Sequence, residues 1–310
     1  MSWRVLAYGA VAVVCALLVG SLSLAVGMIR TLGRADGRQP WRALALVVSV
    51  AVTGACLYAL WFAWPIFFGR RPAPTDPALA RSLGEPITRP GLSILVVVAH
   101  PDDAEWYCGG TLARAVAAGS RVTVIVATDG EAGRGAPTPA ELAVTRRREQ
   151  LEAARILGYT RTVFLEIPDR GVSRAADLND RIAAVWKEVN PDIVLTFDAG
   201  SPARPYIHPD HQAVGHAVID MLEGKQVSPA TAYLFHSSRP NAVVDVTQFM
   251  DLKRSAMQAH RTQFSLAGGG GGAAERSNGA GRAGEAQYVE MFRVRDAWNG
   301  ANRADPTDED

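Results

Sequence analysis

The sequence predicts an α/β fold, a Rossmann-like and mostly parallel sheet with helices on both faces, preceded by two transmembrane helices. Three observations predict it. Residues 93–99 (SILVVVA) and 121–128 (RVTVIVAT) are short, almost unbroken apolar runs, the pattern of strands buried on both faces. Helical stretches alternate with such runs, which in one sheet gives right-handed parallel crossovers. Upstream, residues 5–29 and 43–68 carry no charge, and each is long enough to cross a hydrocarbon core of about 30 Å at about 1.5 Å per residue.

Residues 1–69 are therefore read as a membrane anchor. Trp3, Trp41, Trp61 and Trp64 stand near the ends of its spans, where indole rings favour the membrane interface. The loop between the spans carries Arg30, Arg34, Arg38 and Arg42, and the outer flanks carry Arg4, Arg70, Arg71 and Arg81. That balance selects neither membrane face. Residues 70–91, rich in Pro and Arg, read as a linker, and the main domain covers 92–298. Within it, further strands are expected at 162–165, 193–197, 232–235 and 287–295, and helices at 109–119, 139–157, 176–189 and 211–222. Gly158 ends the longest helix, as a glycine just past a helix terminus does. Residues 267–284 form a Gly-rich loop and 299–310 a disordered tail. A formal net charge of +1 offers no basic face to a nucleic acid, and three cysteines cannot build a disulfide framework.

Two clusters carry chemistry. AHPDDAE (99–105) directly follows the first buried strand, at the strand end where an α/β sheet binds its ligands. It is not Gly-rich and so makes a poor phosphate cradle. It offers an imidazole, His100, and two adjacent carboxylates, Asp102 and Asp103. HPDH (208–211) follows the strand at 193–197 by a loop. Proline suits a helix's first turn, so a helix starts near Pro209, with His208 just ahead of it and His211 inside the first turn. The positive end of that helix helps keep both imidazoles neutral, the form a metal needs. Zinc takes His nitrogen and Asp oxygen, and a catalytic zinc usually has three protein ligands plus water. The two clusters hold three of the six histidines and can supply such a set.

In order and spacing, AHPDDAEWYCGGTLA (99–113), TDGEAG (128–133), RRRE (146–149) and HPDH resemble the LmbE/PIG-L superfamily of zinc-dependent N-acetylglucosaminyl deacetylases. The likeness runs over about residues 92–260 and more loosely to 295; the two spans and the Gly-rich stretch lie outside it. The resemblance implies His100, Asp103 and His211 as zinc ligands and Asp102 as general base. It also implies His208 as partner of the oxyanion and Arg146 as a substrate-contacting arginine. Asp129 and Glu131, on the same sheet edge, are candidates to line the sugar pocket or to cap a turn. Tyr206 is a candidate to reach the substrate or to pack, and His260 to stand at the pocket rim. Cys108 is read as a buried residue beneath a bend at Gly109 and Gly110.

The implied reaction removes the N-acetyl group from an N-acetylglucosaminyl glycoside. The anchor extends this to a lipid-linked glycoside held among membrane lipids, because tethering raises the encounter concentration. Analogy with related enzymes puts the catalytic domain on the cytoplasmic face. Two other readings stand beside it. One is amide hydrolysis of a soluble thiol precursor or antibiotic-like glycoside, which needs no anchor. The other is a metal- or glycan-binding module without catalysis. Asp102 argues against the latter, since a structural zinc site closes with four protein ligands and leaves no free carboxylate beside them. Another divalent transition metal, such as iron or cobalt, also suits a His-His-Asp set.

Overall fold

The structure, a computed structural model, describes residues 76–199, 208–264 and 288–295, with parts of 14–27 and 44–58. The chain divides into two compact units, Met1–Arg71 and Pro72–Asp310. In the first, residues 16–21 and 47–58 are helical. Ser21 Oγ and Thr53 Oγ1 lie 2.9 Å apart, each also within reach of a carbonyl one turn back, Leu18 O and Ser49 O. Leu17, Val19, Val47, Val50 and Leu57 are exposed on these helices. No helix among the described residues is long and apolar enough to cross a membrane. Much of each expected span (5–29 and 43–68) lies outside the described residues, as do Tyr206, the Gly-rich loop 267–284 and the tail 299–310.

The second unit opens with α1 (Pro77–Gly84), followed by β1 (Ser93–Val98), α2 (Asp103–Ala117), β2 (Arg121–Thr128), α3 (Pro139–Leu157), β3 (Arg161–Ile167) and α4 (Leu178–Val189). Then come β4 (Ile193–Phe197), α5 (Pro209–Glu223), β5 (Thr231–Phe235), β6 (Ala242–Asp245), α6 (Met250–Ala259), α7 (Arg261–Phe264) and β7 (Val289–Arg295). The sheet order is β3-β2-β1-β4-β5-β7-β6, with β1 to β5 parallel and β7 antiparallel to both its neighbours. Every residue of β1 and β4 is buried, as expected of central strands covered on both faces. Helices α2, α3 and α6 pack together, while α4 and α5 pack on each other and on β1. The chain runs outward from β1 through β2 to β3, then returns to β4 on β1's other side. The carboxyl ends of β1 and β4 therefore flank the topological switch point, where such sheets bind ligands.

Local chemistry explains most boundaries. Thr138 and Glu141 form a capping box that starts α3 with Pro139 in its first turn, and Gly158, at φ 76°, ends it. The structure departs from the sequence reading in three places. Segment 70–91, read as a linker, contains α1, capped by the Asp76 carboxylate and docked on the domain. A Cβ on Gly84 would collide with the Val243 carbonyl, and Tyr233 Oη donates to Leu83 O at 2.9 Å. The helix expected from Gly109 starts at Asp103 and is broken at Cys108 (φ −142°, ψ 15°). Strand β6 and helix α6 were not anticipated; β6 is a four-residue edge strand with no alternation to mark it.

Candidate active site

The β1 carboxyl end delivers His100, and the turn after it starts α2 at Asp103. Across the switch point, His208 caps α5 and His211 sits in its first turn. Three donor groups converge. His100 Nδ1 lies 3.1 Å from His211 Nε2, His211 Nε2 lies 3.2 Å from Asp103 Oδ1, and Asp103 Oδ2 lies 3.5 Å from His100 Nδ1. A tetrahedral site with bonds of about 2.0–2.1 Å has edges of about 3.4 Å, so this triangle is one face of such a site. The donor set and its spacing fit a divalent metal such as zinc.

A second group of donors, His100, Asp169, His208 and Asp210, adjoins the first. Its carboxylates are already engaged. Asp210 accepts from Arg170 N at 2.6 Å and Val172 N at 3.1 Å, and Asp169 Oδ2 accepts from Ala132 N at 3.1 Å. Asp169 Oδ1 stands 3.2 Å from His100 Nε2. A carboxylate there braces the ring on the nitrogen turned away from the triangle, the outer support that metal-binding histidines need. Asp169 was missed in the sequence. The signal that could have found it is positional, an aspartate (Pro168-Asp169) just beyond β3 at the same sheet edge as His100.

Electrostatics follow the geometry. Burial pulls the His100 imidazole down, but hydrogen bonds to Asp103, Asp169 and Asp210 outweigh it and hold it well above its ordinary range. Burial opposes ionisation of Asp103, and His211 and His100 overcome it, holding that carboxyl well below the usual range. Asp169 is likewise held down at about 2, its hydrogen bond to His100 overriding burial. Such an excess of carboxylate around one imidazole is an arrangement that a bound cation balances. His208 is shifted the other way, down, by burial and then by the two neighbouring histidines. Its Nδ1 accepts from Asp210 N at 3.2 Å, so the neutral ring carries its proton on Nε2. His211 stacks on Phe197, with ring centroids 4.0 Å apart.

Asp102 lies beside the cluster without joining it. Its φ of 105° is left-handed, a conformation that costs a non-Gly residue about 1–3 kcal/mol and persists only where surroundings impose it. Burial raises its carboxyl and the neighbouring Arg146 guanidinium opposes that rise. With Asp103, Trp106, Tyr107 and Phe264 it lines a cleft of about 200 Å³.

Arg146, offered by the resemblance for substrate contact, and Asp129 and Glu131, candidates for the pocket lining or for a turn role, make protein contacts around the site. Arg146 is buried, at 4% exposure, and donates to Pro101 O, to Gly130 O at 3.0 Å and to Asp102 Oδ2 at 3.2 Å. It can lie there because Gly130 has no side chain; a Cβ would collide with its Nη1, and Gly130's φ of +67° itself favours glycine. Asp129 pairs with Arg147 at 2.7 Å, and Glu131 Oε1 accepts from Asp169 N at 2.7 Å. These three brace the site's turns. His260, expected at the rim, is fully buried against Glu105.

A Rossmann-like sheet thus carries at its switch point a His-Asp-His cluster that could hold a metal ion, with the Arg146-paired Asp102 carboxylate beside it. The family model described as GlcNAc-PI de-N-acetylase (PIG-L) matches residues 95–222. A 1D-myo-inositol 2-acetamido-2-deoxy-alpha-D-glucopyranoside deacetylase from Saccharomonospora viridis is 30% identical over 232 residues, covering 56% of this chain and 85% of that one. A 4-oxalmesaconate hydratase from Pseudomonas putida is 31% identical over 198 residues, covering 57% and 76%. Among solved structures, the N,N'-diacetylchitobiose deacetylase from Pyrococcus horikoshii superposes with a TM-score of 0.57 at 26% identity, covering 65% of this chain and 83% of that one. The chain belongs to the PIG-L/LmbE family.

Proposed function

We propose that this chain is a zinc-dependent N-deacetylase that hydrolyses the acetamide of an N-acetylglucosaminyl glycoside. The observation that carries the reading is the division of labour between neighbours: Asp103 joins two histidines in a metal-sized triangle, while Asp102 is held beside it, facing the cleft. Relatives named for deacetylation of acetylated amino sugars support the same chemistry.

His100, Asp103 and His211 would hold zinc, which would supply a Lewis acid to polarise the amide carbonyl and acidify a water. Asp102 takes the proton as water adds to the carbonyl carbon. Arg146 fixes one oxygen of that carboxylate, leaving the other for the proton. His208 donates its Nε2 proton as a hydrogen bond to the carbonyl oxygen as charge develops there. The C–N bond then breaks, the proton passes to the amine, and acetate and a free amino sugar leave.

The lipid-linked form of the substrate, and an anchor in residues 1–69 with the catalytic unit on the cytoplasmic face, belong to this proposal. What supports the anchor is the exposed apolar surface on two helices whose hydroxyls meet at Ser21 and Thr53, a surface that favours an apolar surrounding. The test is acetate release from soluble and lipid-linked N-acetylglucosaminyl substrates by metal-loaded protein, by chelated protein and by Asp102→Ala. Release that requires both metal and Asp102 is expected. The hydratase relative adds water to a different kind of acceptor, so metal-dependent turnover of an unsaturated acid with no acetate release would overturn the deacetylase reading.

A further inference from the structure

Behind the cleft, three fully buried polar side chains run in a line from Asp102 into the core. The Asp102 N–H donates to Gln150 Oε1 at 3.0 Å. Gln150 Nε2 donates to Glu105 Oε1 at 3.0 Å, and Glu105 Oε2 lies 3.1 Å from His260 Nε2. The other nitrogen of His260, Nδ1, is buried with no hydrogen-bond partner among the described residues, so Glu105 is the ring's one polar anchor there. We propose that His260 is a positioning residue for Asp102, acting through Glu105 and Gln150. This rests on the reading of Asp102 as the general base.

The chain of cause runs through the orientation of one amide. A glutamine presents oxygen at one end and NH2 at the other, and only its neighbours decide which way round it sits. Glu105 accepts and so draws the Nε2 end; Oε1 is thereby aimed at the Asp102 amide. His260 holds the second oxygen of Glu105 and so fixes the plane of that carboxylate. Without this donor the buried carboxylate keeps only Gln150 and the nearby Tyr159 phenol as polar neighbours, and the acceptor that orders Gln150 is loosened. The Asp102 amide then becomes a buried donor on a residue already in a strained conformation, and the base moves. The segment around His260 is itself tied to the RRRE motif. It closes the C-terminus of α6, and Thr262 just after it donates its N–H and hydroxyl to Glu149 on α3 at 2.9 and 2.6 Å.

The test compares the full-length wild type with His260→Ala, His260→Gln and Gln150→Leu. It measures metal affinity, kcat and KM for acetate release, and deuterium exchange of the peptide spanning 100–106. For His260→Ala we expect kcat to fall about 10- to 100-fold, the range seen when outer support of a site is lost, while KM and metal affinity stay within about threefold. Exchange should rise in that peptide and not across the domain. His260→Gln keeps a donor to Glu105 and should recover most of kcat, whereas Gln150→Leu should behave like His260→Ala. Unchanged kcat and unchanged exchange in both His260→Ala and Gln150→Leu would overturn the proposal, as would a loss of activity that follows metal loss or exchange rising everywhere. If wild type releases no acetate from any substrate while the local exchange response is present, the link from His260 to Asp102 stands and the deacetylase reading fails.

Discussion

Residues 93–222 and residues 242–295 serve the site in opposite ways. The first stretch, which the family model covers almost end to end, contributes every member of the metal-sized triangle, the Asp102 carboxylate beside it and the capping histidine. The second contributes none of these. It instead supplies Lys253, His260 and Glu290, all fully or almost fully buried and all bonded to the helix that presents Asp103. The Cys108 break in α2 makes the contrast concrete. In a continuous helix Gly110 N–H would bond Trp106 O and Thr111 N–H would bond Tyr107 O. Here Glu290 accepts from both N–H groups, at 2.9 and 2.7 Å, and Lys253 Nζ donates to Trp106 O at 2.9 Å. Lys253 and Glu290 pair with each other at 2.7 Å. One buried ion pair thus replaces the hydrogen bonds lost at the kink, and the angle of the site-bearing half-turn is set by residues that never reach the cleft. A ligand set and the frame that aims it are separable parts of this fold.

Substitutions can break that division, and the largest effects belong in the triangle. Asp103→Ala should abolish metal binding and turnover together, whereas Asp102→Asn should keep its metal and lose about 10²- to 10⁴-fold in kcat. Metal analysis beside steady-state kinetics separates the two, and loss of metal from Asp102→Asn would move that residue into the ligand set. Next come the frame residues. Lys253→Met or Glu290→Leu alone leaves a buried charge uncompensated and should destabilise the domain by about 3–5 kcal/mol, measured by denaturant unfolding. The double variant sharpens the point. A plain buried ion pair can be exchanged for apolar residues at little cost, but this pair also satisfies Gly110 and Thr111, so the double variant should remain less stable than wild type.

The smallest effect expected is at Asp169. Asp169→Asn should weaken metal affinity about 10- to 100-fold without removing the metal. It also has a pH signature. The Asp169 carboxyl is depressed from its ordinary 3.8 to about 2, so the stability it contributes is present above about pH 4 and disappears as pH falls toward 2. An acid-unfolding curve should therefore lose part of its slope in that window in Asp169→Asn, and an identical slope in both proteins would remove Asp169 from the acid response.

How far the sequence revealed this follows from distance along the chain. His100, Asp103 and His211 were legible because each sits beside a strand end or in a helix's first turn, where a short motif and its secondary structure are read together. Helix α3 was legible for the same reason, its capping box and closing glycine being local. Asp169 was overlooked because only one of its neighbours in the sequence, Pro168, marks the turn. The contacts of Arg146 were not legible because they depend on the missing side chain of Gly130, sixteen positions earlier, which no helical pattern records. The bonds of Lys253, His260 and Glu290 to α2 and its capping turn span 147, 155 and 180 positions, and tertiary pairing over such intervals leaves no periodicity to read. Helix α1 was hidden by composition, its Pro and Arg suggesting a tether where Gly84 in fact lies flush against β6.

The partner that Glu290 supplies at the α2 break also comes late in the chain. During synthesis the metal-binding motif emerges near residue 100, and all three of its donors are out by residue 211. The carboxylate that occupies the gap in the helix follows only with β7, the last strand of the sheet. A nascent chain halted between those points carries every signature of the family and none of the closing contacts at Gly110 and Thr111. The two N–H groups at the break meet their carboxylate partner only once β7 has been made.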